Sequence, residues 1–434
     1  MDPVLIGLIG IGVLLLLFVL RMPVAFALAF VGWVGYCYLA SPSAGSKILV
    51  RDLFVTFNSY PLTVIPTFVL MGTYAFASGI SGRLYKAAYD VFGQLRGGLA
   101  ITTVMASAGF AAVCGSSTAS AATIGKIAYP EMKRYNYDDA LATGCIASSA
   151  TLGILIPPST IFIVYGILTE QSIGKLFIAG ILPGLALAGF FSAIVLVLCY
   201  LKPNWGPAGK TTSWVTKLRA LGEVWEAIVL FGVTMGGLFA GWFTPTQAGS
   251  IGAIGALAMG LLRRSLSWRD FWQATVEGVE ISCMIFFLIA GATVFGHFLA
   301  ITRIPFLLVE GIKALKVSPW TIMALIILVY LIAGCFIDTM ALVILTVPII
   351  YPVVVELGFD PIWFGVVIVL VTQVGVVTPP VGVNVYVVKG LVPHVPLETI
   401  FRGAVLLAIG HVLTIVLVMV FPQLATFLPK YVKW

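Results

Sequence analysis

Charge is what this chain has least of. Only 9% of its 434 residues are Asp, Glu, Lys or Arg, 24 basic and 17 acidic, where a soluble domain carries about 25%. That is too little to coat a water-facing surface, and it excludes a cytosolic enzyme, a nucleic-acid binder and a disordered chain. The 6 cysteines (Cys37, Cys114, Cys145, Cys199, Cys283 and Cys335) stand far apart, mostly inside apolar segments, with no Cys-x-x-Cys among them. Buried inert thiols fit this pattern better than disulfides or a metal site. The phosphate-cradling G-x-x-x-x-G-K-[ST] is missing, so this chain does not hydrolyse ATP, and H-E-x-x-H and G-x-S-x-G are missing too. No enzymatic motif and no organic cofactor is expected. The start of the chain lacks a basic segment, and the apolar run 4–20 lacks a small-residue cleavage site. It reads as a first span rather than a removable signal.

What is present is apolar. The hydrophobic share is 60%, with 45 Gly besides, and the net charge of +7 sits in short loops between apolar runs. Lipid is the solvent this composition calls for. A spanning helix needs about 20 apolar residues, and clear candidates are 4–20, 24–40, 61–79, 174–201, 224–243, 246–262, 276–300 and 398–421. The spans 139–168 and 361–391 are broken by Pro157-Pro158 and Pro379-Pro380. The stretches 97–131 and 319–352 are Gly/Ala-rich or apolar hairpins with polar centres. Segments 81–96 and 302–317 are amphipathic and suit the interface.

An internal repeat organises these segments. An offset of 222 superposes Pro23 on Pro245, Tyr129-Pro130 on Tyr351-Pro352, Asp138 on Asp360, Gly153 on Gly375 and Pro157-Pro158 on Pro379-Pro380. The chain therefore divides into two copies of one unit, 1–205 and 218–434, joined by the loop 206–217. If each hairpin is re-entrant, a unit makes five crossings and the second copy lies inverted, as in many secondary transporters. Hairpins that spanned fully would make the copies parallel. Ten crossings leave 16 of the 24 Lys and Arg on the face opposite the termini, among them Lys126, Lys210 and Arg263, and 8 on the termini's face. The positive-inside bias then puts both termini outside. These cations receive no chemical role.

Irregular backbone at membrane depth is tolerated only where protein buries it or it lines a wet cavity. Four such places occur in two related pairs. The first tip is Cys114-Gly-Ser-Ser-Thr-Ala-Ser120, and its broken span reads Gly153-Ile-Leu-Ile-Pro-Pro-Ser-Thr160. The second tip is Gly334-Cys-Phe-Ile-Asp-Thr339, with the broken span Gly375-Val-Val-Thr-Pro-Pro-Val-Gly-Val-Asn384. A Pro-Pro pair removes donors and frees carbonyls. With Ser and Thr hydroxyls these are hard oxygen ligands for a small cation such as sodium. The half-helix that follows each break aims its positive end at the same place, which suits a carboxylate. Close helix packing and kinks are the alternative use of Gly, Ser and Pro.

Asp338 is the one acidic residue in a tip and occupies the position of Ser116 in the first copy. It could ligate a cation, carry a proton, or cap the hairpin. His297 and His411 are expected as hydrogen-bonded packing residues. Glu223, Glu226, Glu277 and Glu280 are expected at helix starts, where capping and the dipole explain them. Trp residues near span ends, Trp434 included, read as interface belts.

The stretches GSSTASAATIG (115–125), YPEMKRYNYDDALATG (129–144), GILIPPS (153–159), GCFIDTMA (334–341), VPIIYPVV (347–354) and GVVTPPVGVN (375–384) resemble the large membrane subunit of tripartite ATP-independent periplasmic (TRAP) transporters. The resemblance runs over essentially the whole chain. It implies an all-α polytopic fold of elevator type in a bacterial inner membrane. It also implies sodium-driven uptake of small organic anions, often carboxylates, delivered by a soluble periplasmic receptor. A small membrane subunit of about four spans is implied as well, expected here as a separate chain. Carried over by position, it puts one sodium site between Ser116, Ser117 and Thr118 and the break at Gly153, Pro157 and Ser159. A second falls between Gly334, Asp338 and Thr339 and the break at Gly375 and Thr378, with substrate near Ser117, Asp338 and Asn384. A stand-alone anion carrier, and a channel or membrane scaffold, are the competing readings.

Overall fold

The computed structural model describes residues 2–209, 212–314 and 317–432. Lys210 and Lys316 and Lys433 of the loop-charge count, and Trp434 of the interface belt, lie outside the described residues, as does part of the 206–217 loop. Among the described residues every regular element is helical.

In chain order the helices are α1 (Pro3–Val19), α2 (Val24–Leu39), α3 (Pro42–Phe57), α4 (Val64–Ala77), α5 (Ile80–Phe92), α6 (Gly98–Cys114), α7 (Ser117–Arg134), α8 (Asp139–Ser149), α9 (Thr160–Thr169), α10 (Ile173–Leu201) and α11 (Trp214–Glu223). There follow α12 (Trp225–Phe231), α13 (Gly237–Phe239), α14 (Pro245–Leu262), α15 (Trp268–Thr302), α16 (Ile304–Ala314), α17 (Pro319–Gly334), α18 (Thr339–Glu356), α19 (Pro361–Val377), α20 (Val383–Leu391), α21 (Leu397–Val420) and α22 (Gln423–Thr426).

Short-range chemistry sets the boundaries around the breaks. Asp138 Oδ1 accepts from the Ala140 and Leu141 amides at 2.9 and 3.3 Å. Asp360 Oδ1 accepts from Ile362 and Trp363 at 2.8 and 2.9 Å. The same cap thus starts α8 and α19, 222 residues apart, each replacing orphan amide partners. Ser159 Oγ caps α9 by accepting from Phe162. The helices α7 and α18 begin and end at the same offset.

Where the structure departs from the sequence expectation, a local cause is visible. The expected span 276–300 begins at Trp268, because Ser267 and Asp270 form a capping box ahead of it. Glu277 and Glu280 therefore lie in the third and fourth turns of a 35-residue helix, not at a helix start. Glu223 is likewise not at a start but the last residue of α11, and only Glu226 of the four sits in a first turn. The span 224–243 is interrupted by a π-helical turn, Gly232–Gly236. Helix α3 has no counterpart in the expected spans. Lys47, Arg51 and Asp52 interrupt its apolar pattern, yet Asp52 is buried and accepts from His297 Nδ1 of α15 at 2.7 Å. Among the described residues, by length and composition, five helices can cross a membrane on their own, Tyr60–Ala77, α10, α15, α18 and α21. Six can if the bent pair Trp214–Ala220 and Trp225–Phe239 counts as one span.

Two packed groups emerge. In one, α15 lies along α2 and α4, and α14 along α4. Small residues permit the approach: a Cβ on Gly32 would stand 2.6 Å from the Phe295 amide nitrogen, and one on Gly249 would strike Thr67. In the other, the hairpins α6–α7 and α17–α18 surround the broken spans, with α8 against α21 through Gly144 and Gly403. Each hairpin's outgoing arm also packs on the half-helix of the other copy, α7 on α20 and α18 on α9. Tyr129 Oη meets His394 Nε2 at 2.9 Å, and Tyr351 Oη accepts from Gln171 Nε2 at 3.0 Å. Helix α5 is tied to the first group through a buried carboxylate. Glu226 accepts from Arg83 at 2.7 Å and pairs with Arg263. Arg263, expected only to mark orientation, thus shares with Arg83 the neutralisation of a buried charge.

Candidate functional site

The first tip is a two-residue turn, Gly115 and Ser116, between α6 and α7. Gly115 has φ +68°, a left-handed conformation that only glycine adopts without strain, and a Cβ there would stand 2.8 Å from the Pro158 carbonyl oxygen. Ser116 then caps α7, its Oγ accepting from the Ala119 amide at 3.4 Å. The tip is seated on its own unit's break. Thr160 Oγ1 donates to the Gly115 carbonyl at 3.1 Å. A Cβ on Gly153 would lie 2.7 Å from the Ser116 oxygen and 2.9 Å from Ser120 Oγ. The break itself is buried throughout 150–159, and Ser159 Oγ donates to the Ile154 carbonyl at 2.7 Å.

The second tip makes the same docking with different atoms. Gly334 and Gly375 abut backbone to backbone, so that a Cβ on Gly375 would overlap the Gly334 carbonyl. The Val381 amide donates to the Cys335 carbonyl at 3.3 Å, and Cys335 Sγ lies 3.2 Å from Thr378 Oγ1. Asp338 caps α18, its Oδ2 accepting from the Met340 amide at 3.0 Å.

Both tips open on one cavity of about 360 Å³. Ser116, Ser117, Thr118, Asp338 and Thr339, all expected at the site, line it. Gly153, Pro157 and Ser159 are buried behind the first tip, and Gly334, Gly375 and Thr378 form the second tip's seat; none of these six lines the cavity. Asn384 is not brought to it either. It is fully buried in the first turn of α20, donating to the Ala147 carbonyl of α8 at 3.0 Å. Two hydroxyls in the first turns of α7 and α18, Ser120 Oγ and Thr339 Oγ1, are buried without a hydrogen-bond partner. A buried polar atom left unpaired is costly unless something satisfies it, and oxygen donors at two helix starts suit a small cation. Sequence reasoning placed Ser120 in the tip but assigned it nothing.

The opposite wall comes from the other packed group. Gln273 and Glu277, one helical turn apart on α15, face the cavity, as does Lys126 of α7. Lys126 stands two turns beyond Thr118 on the same helix face, a spacing legible in the sequence once α7 is known to continue that far. His411, by contrast, is a packing residue, its Nε2 2.9 Å from Thr151 Oγ1 and its ring edge-on to Phe191.

Comparison with known proteins agrees with this arrangement. The family model described as tripartite ATP-independent periplasmic transporter, DctM component, matches residues 11–424. The C4-dicarboxylate TRAP transporter large permease protein DctM of Pseudomonas aeruginosa is 34% identical over 395 residues, 91% of each chain. The sialic acid TRAP transporter large permease protein SiaM of Vibrio cholerae is 32% identical over 410 residues, covering 94% of this chain and 95% of that relative. Among solved structures, the YdaH transporter of Alcanivorax borkumensis superposes with TM-score 0.62 at 13% identity over 89% of each chain, a likeness of fold alone. On the match over nearly its whole length, the chain belongs to the family of DctM components, the large permeases of tripartite ATP-independent periplasmic transporters.

Proposed function

We propose that the chain is the permease of a receptor-fed, sodium-driven importer of small organic anions, carboxylates foremost, in a bacterial inner membrane. The observation that carries this is the docking of two polar tips on two broken spans around one cavity, with the Thr339 hydroxyl of its lining left unpaired. Freed carbonyls and hydroxyls at Ser116, Ser117, Thr118 and Gly153, and again at Gly334, Asp338, Thr339 and Thr378, would hold the coupling sodium ions. The cargo would lie between the tips, against Ser117 and Asp338. The cargo named for the relatives, a C4-dicarboxylate in one and sialic acid in the other, supports an acidic substrate.

In this reading the units 1–205 and 218–434 are inverted copies making about ten crossings, with the termini on the periplasmic side. The tip-bearing group slides as one body against the group built on α2, α4, α14 and α15. A small membrane subunit and a soluble periplasmic receptor complete the assembly. The test is uptake into proteoliposomes holding the chain and its small subunit. Accumulation should require both an inward sodium gradient and loaded receptor. Uptake with the receptor omitted would identify a stand-alone carrier instead, and uptake undiminished without sodium would remove the coupling.

A further inference from the structure

Among the described residues three charged side chains line the cavity, and only one is positive. Asp338 and Glu277 are carboxylates; Lys126 is the lone Lys or Arg of the lining. Among the described residues Lys126 makes no hydrogen bond or ion pair, and neither does Glu277, although both face the same space. A permeating anion approaching the tips therefore meets two like charges and one opposite one. At the low effective dielectric of a partly enclosed site, a single charge several ångströms away changes local ion concentration severalfold. Without Lys126 the charged side chains of the lining would present only repulsion.

We propose that Lys126 is the anion-attracting residue of this cavity, drawing the acidic group of the cargo toward the tips against the fields of Glu277 and Asp338. The assignment rests on the transport reading above, and it adds a residue whose sequence context suggested only a loop charge. Position supports it. Lys126 follows Thr118 and Ala122 along one face of α7, all three lining the cavity, so its ammonium extends a continuous strip from the first tip. Its long stem lets the charge follow a moving ligand. Glu277 stands on the other packed group, so the balance of the two charges changes whenever the groups shift relative to one another.

The experiment reads the field without needing the cargo. In a background with the six native cysteines replaced, Ala122→Cys places a thiol one turn from Lys126. Its modification rates by an anionic sulfonatoethyl and a cationic trimethylammonioethyl methanethiosulfonate are compared in purified, monodisperse protein. Lys126→Gln should lower the anionic-to-cationic rate ratio about tenfold. Lys126→Arg should preserve it, Glu277→Gln should raise it, and about 0.5 M salt should shrink every difference. A ratio that Lys126→Gln leaves within twofold overturns the proposal. The labelling depends on neither sodium nor receptor. A flat ratio therefore removes Lys126 alone, and failure of sodium-driven uptake leaves the ratio standing.

Discussion

The two tip-and-break pairs share one sequence register yet sit in different surroundings. The first break is buried over its whole length, whereas Pro379, Pro380 and Val381 of the second are exposed, as is Phe336 of its tip. The repeated residues explain the likeness, since Gly153 and Gly375 each press against their own tip. Residues that do not repeat explain the difference. Gly72 of α4 lets the first tip approach until a Cβ would lie 2.8 Å from the Cys114 oxygen. Gly180 and Gly184 let α10 close over Leu155 and Ile156. At the offset of 222 the second copy carries Val294, Arg402 and Leu406, whose side chains forbid the same closeness. Local breaks are thus set by shared proline and glycine, and sealing is set by small residues on the neighbouring helices.

Three pairs of substitutions would break or sharpen this contrast. The largest effect is expected at the paired caps. Asp338→Asn should abolish sodium-driven uptake while the protein still purifies as a folded species. Ser116→Ala, at the matching position, should cost the roughly 1 kcal/mol of a lost cap and, as the loss of one neutral oxygen among several, weaken the sodium dependence of uptake without abolishing it. Uptake retained in Asp338→Asn with normal sodium dependence would reduce Asp338 to a cap.

Next are the glycines of the second seat. Gly375→Ala forces a Cβ into the Gly334 backbone and should destabilise by about 1–3 kcal/mol or more. Gly334→Ala meets its nearest neighbours at 3.6 Å and, at a helix end, should be neutral or gain up to about 1 kcal/mol. Thermal melts in one detergent decide it, and a Gly334→Ala loss as large as that of Gly375→Ala would mean the seat is packed differently.

The smallest effect concerns exposure alone. With the native thiols removed, Val381→Cys should react readily with a soluble maleimide. Ser159→Cys, its counterpart at the offset, should stay protected because Ser159 is fully buried. Equal labelling would contradict the difference in sealing.

As a permease the chain is a transport protein and not an enzyme, a class its composition and absent motifs already indicated. The spans at 174–201, 246–262 and 398–421 were legible to within a residue or so, because long uninterrupted apolar runs admit one reading. Helix α3 was not, since the partner that compensates buried Asp52 lies 245 residues away on α15. The tips and breaks were legible because Pro-Pro and clustered Ser, Thr and Gly have local backbone consequences. Asn384 was misplaced relative to the cavity lining by the same locality: its place in a motif says nothing about which way a half-helix turns it.

By itself, then, the sequence determined the solvent, the helical class, the internal offset and the four points where the backbone must break. Each follows from composition or from what a proline or glycine does to its own neighbours. Only the tertiary structure decided that each tip docks on its own break and that Lys126 and Glu277 share a cavity with Asp338. It alone decided that one break is sealed while the other is open. Those facts depend on contacts between side chains far apart in the chain, which no local pattern records.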